Sequence, residues 1–416
     1  MAVDLLLPPL ATSAGEARRL LRDALAGVED DSVDAAQVAI SEIVTNALVH
    51  AGTEMRLRVL LAGTGLRVEL KDGSPHLPRR RDYSTVAATG RGLHMVSQVV
   101  DKWGAYPDGE GKVVWFEIVD DEDPAPGGSD VDPSLPGRTD HLEVELLNVP
   151  LLMHAAWQEH AAALMREMLL MRLDEDLTAF EEHAAVSDAL CVLFEQIPAP
   201  DLGDHPDQIM GAATEPHVSV PRLVLRVPRG SLPHFRKLEE SLEVAVELAE
   251  LGELLSPPTQ PEIQIMRQWL CGQVLAQAAG HRGIAWVSPT DTRAPEISGP
   301  LEWDPTEVNE SDRALLAADD TNRIVAASPS AIRTLGHTDL AELVGQRLVS
   351  IIPLRYHQAH VAGFTLHLVN GRSPLLGNRV TVPVVRADGT EVDTDLVIEA
   401  TALPHGRRLF VAEFFG

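Results

Sequence analysis

Glu42, Asn46 and His50 stand four residues apart inside SEIVTNALVHAG, residues 41–52, a run whose other positions are largely apolar. At about 100° per residue they form one polar row on a helix, opposite a stripe of Ile40, Ile43, Val44, Ala47, Leu48 and Ala51. A carboxylate can take a proton from a hydroxyl, and an amide oxygen can complete the shell of a hard cation. A solvated face would be served as well by lysine or arginine, so the row takes its meaning from the rest of the chain. Downstream, the strand-like LRVEL ends in KDGSP, which leaves Asp72 and Gly73 at a strand terminus. ATGRGLHMVSQVVDKWG then sets Gly90 and Gly92 before a helical stripe of Leu93, Val96, Val100 and Trp103. A glycine-rich loop opening into a helix presents free N–H groups and the positive end of the dipole, which suits phosphate. Alone, each piece is more often a surface helix, a turn or a helix start. Their order is what carries weight.

The elements around these residues alternate between helix and strand. SAGEARRLLRDAL places Ser13 three residues before Glu16, the spacing of a capping box, and continues with a stripe of Ala17, Leu20, Leu21, Ala24 and Leu25. MRLRVLLAG, GLRVELKDG and GKVVWFEIV alternate as strands do. An α/β sandwich with helices on a mixed sheet is expected. The N-terminal MAVDLLLPPLATSAG has no basic n-region and is not read as a signal peptide. No stretch approaches the roughly 20 apolar residues that cross a bilayer, so no membrane partner and a cytoplasmic setting are expected.

At 416 residues the chain exceeds one compact core. Two segments rich in acidic residues, Pro, Gly and Ser, 120–140 and 288–310, read as linkers that proteases would cut to free three folded pieces. The expected domains are 1–119, a mainly helical 141–287 and 311–416, an α+β multidomain protein. The central segment has helical spacing throughout except for a strand-like HVSVPRLVLRVP, and helical regions of this kind often build homodimers. A net charge of −28 excludes a phosphate-backbone surface, and with it a nucleic-acid partner. Cys191 and Cys271 lie in apolar helical runs without ligand spacing and read as buried thiols.

Taken together, ExxxNAxxHA, DGSPxxPRRRDY, TGRGLxMV and KVVWFE resemble the N, G1 and G2 boxes of the GHKL (Bergerat-fold) ATPases over residues 10–119. The likeness is to the anti-sigma-factor serine kinases common in actinobacteria. It implies binding of ATP with Mg²⁺. Glu42 matches the proposed general base, Asn46 the magnesium ligand, Asp72 the acceptor for the adenine amino group, and Gly73 the residue beneath the base. Thr89, Gly90, Arg91, Gly92 and Leu93 match the G2 segment that approaches the phosphates. The implied partner is a STAS-type anti-sigma antagonist, a sigma factor, or both. The sequence departs from the wider superfamily at Pro75, where the G1 box usually has a second glycine, which puts lid geometry and turnover in question. His50 reads as a structural hydrogen-bonder, and the arginines at 79–81 as a solvated loop. A sensor histidine kinase shares the ATPase fold but needs a phosphoacceptor histidine followed by an acidic residue. His154, His160 and His183 are each followed by Ala, and the ATPase comes first in the chain.

Residues 311–416 read as strand, turn, strand, short helices, a hairpin turning at Asp388-Gly389, and a last strand. IRTLGH, LVGQ and RADGTEV resemble PAS sensor domains, which bind haem, flavin or small ligands, or dimerise. His360 is the one residue near a haem-ligand position and is more simply a core or surface histidine; no cysteine is present for a flavin adduct, and the PAS ligand stays unassigned. Two functions are compatible with these features. One is a Mg·ATP-dependent kinase of a serine or threonine on an anti-sigma antagonist, modulated by the PAS domain. The other is a non-catalytic module whose ATP-bound form sequesters a sigma factor or antagonist.

Overall fold

A computed structural model describes residues 2–25, 30–62, 65–77, 91–109, 111–118, 140–172, 179–200, 214, 216–289, 295, 301–371 and 375–415. The N-terminal part begins with β1 (Ala2–Leu7), α1 (Ser13–Ala24), α2 (Asp30–His50), β2 (Met55–Ala62) and β3 (Gly65–Asp72). It continues with α3 (Arg91–Val99), β4 (Lys102–Asp108) and β5 (Gly111–Ile118). The sheet runs β1-β2-β3-β5-β4. Every pairing is antiparallel, which corrects the mixed sheet expected from the alternation of elements.

Alternation decides the faces of this sheet. Val3, Val59, Val68 and Phe116 stand in register across four strands, as do Leu5, Leu57, Leu70 and Val114. These rows form the core with Ala17 and Leu21 of α1 and with Ile40, Ile43, Val44, Ala47 and Leu48 of α2. On the other face Arg67 lies opposite Glu117, bonds it at 2.6 Å, bonds Glu69 at 2.9 Å and covers the Trp115 ring at 4.3 Å. A guanidinium so buried is tolerated because two carboxylates and a ring occupy its surroundings.

Two local expectations fail, and one strand carries no expectation at all. Ser13 is not a cap: it is the first helical residue, and its Oγ donates to the Pro8 carbonyl at 2.7 Å. Trp103 does not belong to the stripe of α3, which ends at Val99; it sits on β4. β1, an edge strand whose apolar run the sequence reading left unassigned, pairs with β2 along its whole length.

The segment 141–287 holds β6 (His141–Pro150), α4 (Leu151–Arg172), α5 (Ala179–Gln196), β7 (Ser219–Pro228), α6 (Leu232–Glu250) and α7 (Pro261–Ala278). β6, a strand not among the expected elements, pairs with β7 in a separate two-stranded sheet. The chain divides into two compact units: Met1–Leu142 with Met168–Glu195 and Arg226–Ser241, and Glu143–Glu167 with Gln196–Leu225 and Leu242–Gly416. The central segment is therefore shared between the units. Leu169, Ala179 and Phe180 belong to the core of the first. Cys271 is buried as expected, whereas Cys191 is half-buried.

In the second unit, β8 (Ala314–Asp319), β9 (Ile324–Ala327), β10 (Arg379–Val385), β11 (Glu391–Ala402) and β12 (Arg408–Phe415) form a sheet ordered β10-β11-β12-β8-β9. Short helical turns and a longer helix, α8 (Leu354–Asn370), separate β9 from β10. The β10–β11 hairpin closes through residues 386–390 rather than through two residues. Arg386 bonds Thr390, and Gly389 turns with φ +79°. Asp388 Oδ1 accepts from both the amide and the hydroxyl of Thr390, which holds this wider turn.

Candidate nucleotide site

α2 ends at His50 and leaves through Gly52, whose φ of +58° permits its N–H to close on the Ala47 carbonyl. The next residue, Thr53, accepts from the Gly73 amide at 2.9 Å through Oγ1. That bond ties the exit of the helix carrying Glu42 and Asn46 to the end of the strand carrying Asp72. Glu42 and Asn46 are half-buried, one turn apart on one face, while Ile40, Ile43, Val44, Ala47 and Leu48 of the opposite stripe are buried. Burial pushes the Glu42 carboxyl up from its ordinary value, the direction that suits a proton acceptor working near neutral pH.

Asp72 is 3% exposed. Its Oδ1 accepts from Lys112 Nζ at 3.0 Å and from the Ser74 amide at 2.8 Å. Burial pushes this carboxyl up, and Lys112 and the Ser74 amide pull against that shift without cancelling it. Oδ2 carries no hydrogen bond among the described residues, so one lone-pair edge is available to an amino group. Gly73 has a structural reason to be glycine: a Cβ there would meet Thr53 Cγ2 and Oγ1 at 2.9 Å. Gly111 has another, since its Cβ would run into the Asp72 carbonyl oxygen. After Asp72 the chain makes a tight Asx-type turn, with the Ser74 hydroxyl accepting from the His76 amide at 3.3 Å around Pro75.

α3 begins at Arg91 and packs on α2, placing Arg91, Gly92 and half-buried Leu93 in a helical first turn. Thr89, Gly90 and the arginines at 79–81 lie outside the described residues. Among the described residues no group of three His, Cys, Asp or Glu side chains could hold a metal ion. A magnesium ion carried in on phosphates needs one oxygen such as that of Asn46, because it keeps most of its waters. His50 bonds Ser187 Oγ at 2.8 Å through Nδ1.

Sequence reasoning missed Thr53, Ser74 and Lys112. Lys112 faces Asp72 in the β3–β5 register, a pairing of residues forty positions apart with a helix and a strand between them, and no local signal announces it. Of the histidines weighed as phosphoacceptors, His154 and His160 are each 1% exposed on α4, and His183 is half-buried on α5. In the second unit, His360 is half-buried on α8 with Nε2 bonded to Asn322 Oδ1 at 2.8 Å.

With this geometry established, residues 7–118 match the family model of the histidine kinase-like ATPase domain. The match takes in the N-terminal part of the chain, and the protein is a mixed helix-and-sheet molecule. An uncharacterised protein of Azorhizobium caulinodans is 32% identical over 99 residues, which cover 24% of this chain and 13% of the relative. Similar solved structures include the RsbU and RsbW domains of a Mycobacterium tuberculosis protein, 21% identical over 28% of this chain and 32% of that one, with a TM-score of 0.23. A PAS domain from Desulfitobacterium hafniense is 14% identical over 26% of this chain and 94% of its own, with a TM-score of 0.22. The Rhodobacter sphaeroides LOV protein is 20% identical over 27% and 62% of the respective chains, also at 0.22. Among the described residues no helix is long and apolar enough to cross a membrane.

Proposed function

We propose that the ATPase domain binds Mg·ATP and transfers its γ-phosphoryl group to a serine or threonine of a STAS-type anti-sigma antagonist. The protein would then be a cytoplasmic signalling regulator whose C-terminal, PAS-like sheet domain modulates the reaction. The observation that carries this reading is the joining of two walls: half-buried Glu42 and Asn46 on one helical face, and buried Asp72 tied to that helix's exit through Gly73 and Thr53.

In this assignment Asp72 Oδ2 accepts from the adenine amino group, and its ionised form is supported by Lys112. The first turn of α3, with Arg91, Gly92 and Leu93, directs N–H groups to the phosphates. Asn46 supplies an oxygen to magnesium, whose charge offsets that of the phosphate oxygens when it is bound. Glu42 takes the hydroxyl proton as the partner's oxygen attacks the γ-phosphorus and ADP departs with the electrons of the broken P–O bond.

Two variants separate binding from chemistry. Asn46→Ala should lower Mg·ATP affinity and phosphotransfer together. Glu42→Gln should still bind nucleotide but lose about 10²- to 10⁴-fold in rate, the usual contribution of a general base. ATP titration and phosphoserine formation on candidate antagonists measure the two effects. Equal ATP binding by Asn46→Ala and the parent would sink the pocket assignment, and unchanged transfer by Glu42→Gln would remove Glu42 as the base. Nucleotide binding by the parent without transfer to any antagonist would make it a sequestering module.

A further inference from the structure

The family match ends at Ile118, yet two adjacent residues far beyond it reach both walls of the candidate site. Ser187 and Asp188 lie on α5. Ser187 Oγ bonds His50 Nδ1 at 2.8 Å, one helical turn beyond Asn46. Asp188 Oδ1 accepts from His76 Nε2 at 2.9 Å, four residues beyond Asp72. The other carboxylate oxygen of Asp188 accepts from His234 Nδ1 of α6 at 2.7 Å, and Glu195 Oε1 lies 3.3 Å from His76 Nδ1. The seating is close: a Cβ on Gly52 would meet Ala184 Cβ at 2.6 Å and the Phe180 carbonyl oxygen at 2.8 Å. Ala179 and Phe180 of the same helix are part of the ATPase core.

We propose that α5 is a clamp across the nucleotide site, with Ser187 and Asp188 as positioning residues that fix the α2 exit and the 73–77 loop relative to one another. His234 gives α6 a hold on the same carboxylate, so nucleotide affinity answers to helices that the ATPase domain itself does not contain. This rests on the ATP-site assignment above. The electrostatics agree with the geometry. Burial pulls the His76 imidazole down, but its bonds to Asp188 and Glu195 and their charges outweigh that and hold it up to about 9. Burial likewise pushes Asp188 up, and the bonds from His234, His76 and Ser231 bring it well below the usual carboxylate range. His76 is thus a charged link between two carboxylates of α5, and it is the group whose loss of a proton would release the loop.

The test is titration of the full chain with a fluorescent ATP analogue and Mg²⁺, for the parent, Asp188→Asn, His76→Gln, Ser187→Ala and the Asp188→Asn/His76→Gln double variant. Asp188→Asn and His76→Gln should each weaken binding about fivefold or more, a usual size for coupling between sites. The double variant should be no weaker than the worse single one, since both remove the same link. Between pH 7 and 10 the parent's affinity should fall through a step near 9 that is missing in His76→Gln. Ser187→Ala removes one hydrogen bond and should weaken binding less; it keeps the question decidable if an Asp188 variant does not fold. Parental affinity in every folded variant, or a pH step that survives in His76→Gln, overturns the clamp. A parent that binds no nucleotide overturns the site assignment instead, and the clamp with it.

Discussion

Asp72 and Lys112 form one buried ion pair, and the proposed nucleotide site would use its carboxylate. Their side chains are 2% and 7% exposed, so neither charge can be left alone cheaply. Lys112→Met should cost about 3–5 kcal/mol, the usual penalty for an uncompensated buried charge. It should also weaken nucleotide binding, because the Asp72 carboxyl would then rise further from its ordinary value and spend less time ionised. Adding Asp72→Asn should restore most of the stability and none of the binding. Chemical denaturation together with ATP titration separates the two effects. If stability were restored by the double variant while binding also returned, Asp72 would not be the base-reading carboxylate.

At the scale of elements, the β3–β5 pairing places this ion pair, and Gly111 allows the strands to meet there. An alanine at 111 would drive its Cβ into the Asp72 carbonyl oxygen, which is backbone and cannot rotate away. Gly111→Ala should therefore cost about 1–3 kcal/mol, as overpacking of a rigid site does, and should impair nucleotide binding through Asp72. Gly109→Ala is the control for glycine at this turn. A Cβ there meets nothing within 4 Å, though its φ of +68° still disfavours a side chain, so the stability loss should come without the loss of binding. Denaturant midpoints and nucleotide titrations of both variants check this. Equal effects on binding would show that the turn, rather than the Asp72 contact, matters.

For the whole molecule, the titrating histidines of the two units work in opposite senses. His76, in the first, is held up to about 9 from 6.5, so its stabilisation is complete below pH 6.5 and lost as pH rises through 9. His154, His160 and His360, in the second, are held down to about 3, 4 and 3, chiefly by desolvation. The unfolded chain takes up protons at these positions that the native one refuses, so stability there falls as pH drops below 6.5. Calorimetry from pH 5 to 10 should show an acid loss that His160→Gln reduces and an alkaline loss that His76→Gln abolishes; profiles unchanged by either variant would refute the assignment. A protease cut within 120–140 should leave residues 1–119 associated with the remainder. Leu169, Ala179 and Phe180 complete their core, and His50 and His76 bond α5. Release of that fragment on native size exclusion would instead mean that the first unit closes its core without these helices.

The sequence alone determined the local pieces. The apolar stripe of α2, the alternation of β2, β3 and β5, and the row of Glu42 and Asn46 follow from periodicities of 3.6 and 2 that each segment carries within itself. Asp72 at the end of a strand was legible for the same reason. What the sequence could not supply was every relation between distant segments. The antiparallel order of the sheet, Lys112 opposite Asp72, Thr53 bonded to Gly73, and α5 bonded to His50 and His76 join positions from twenty to well over a hundred residues apart. Such pairs leave no mark on their neighbours. They arise from whichever docking buries the most apolar surface while satisfying each buried charge, and that choice is made by the folded chain as a whole.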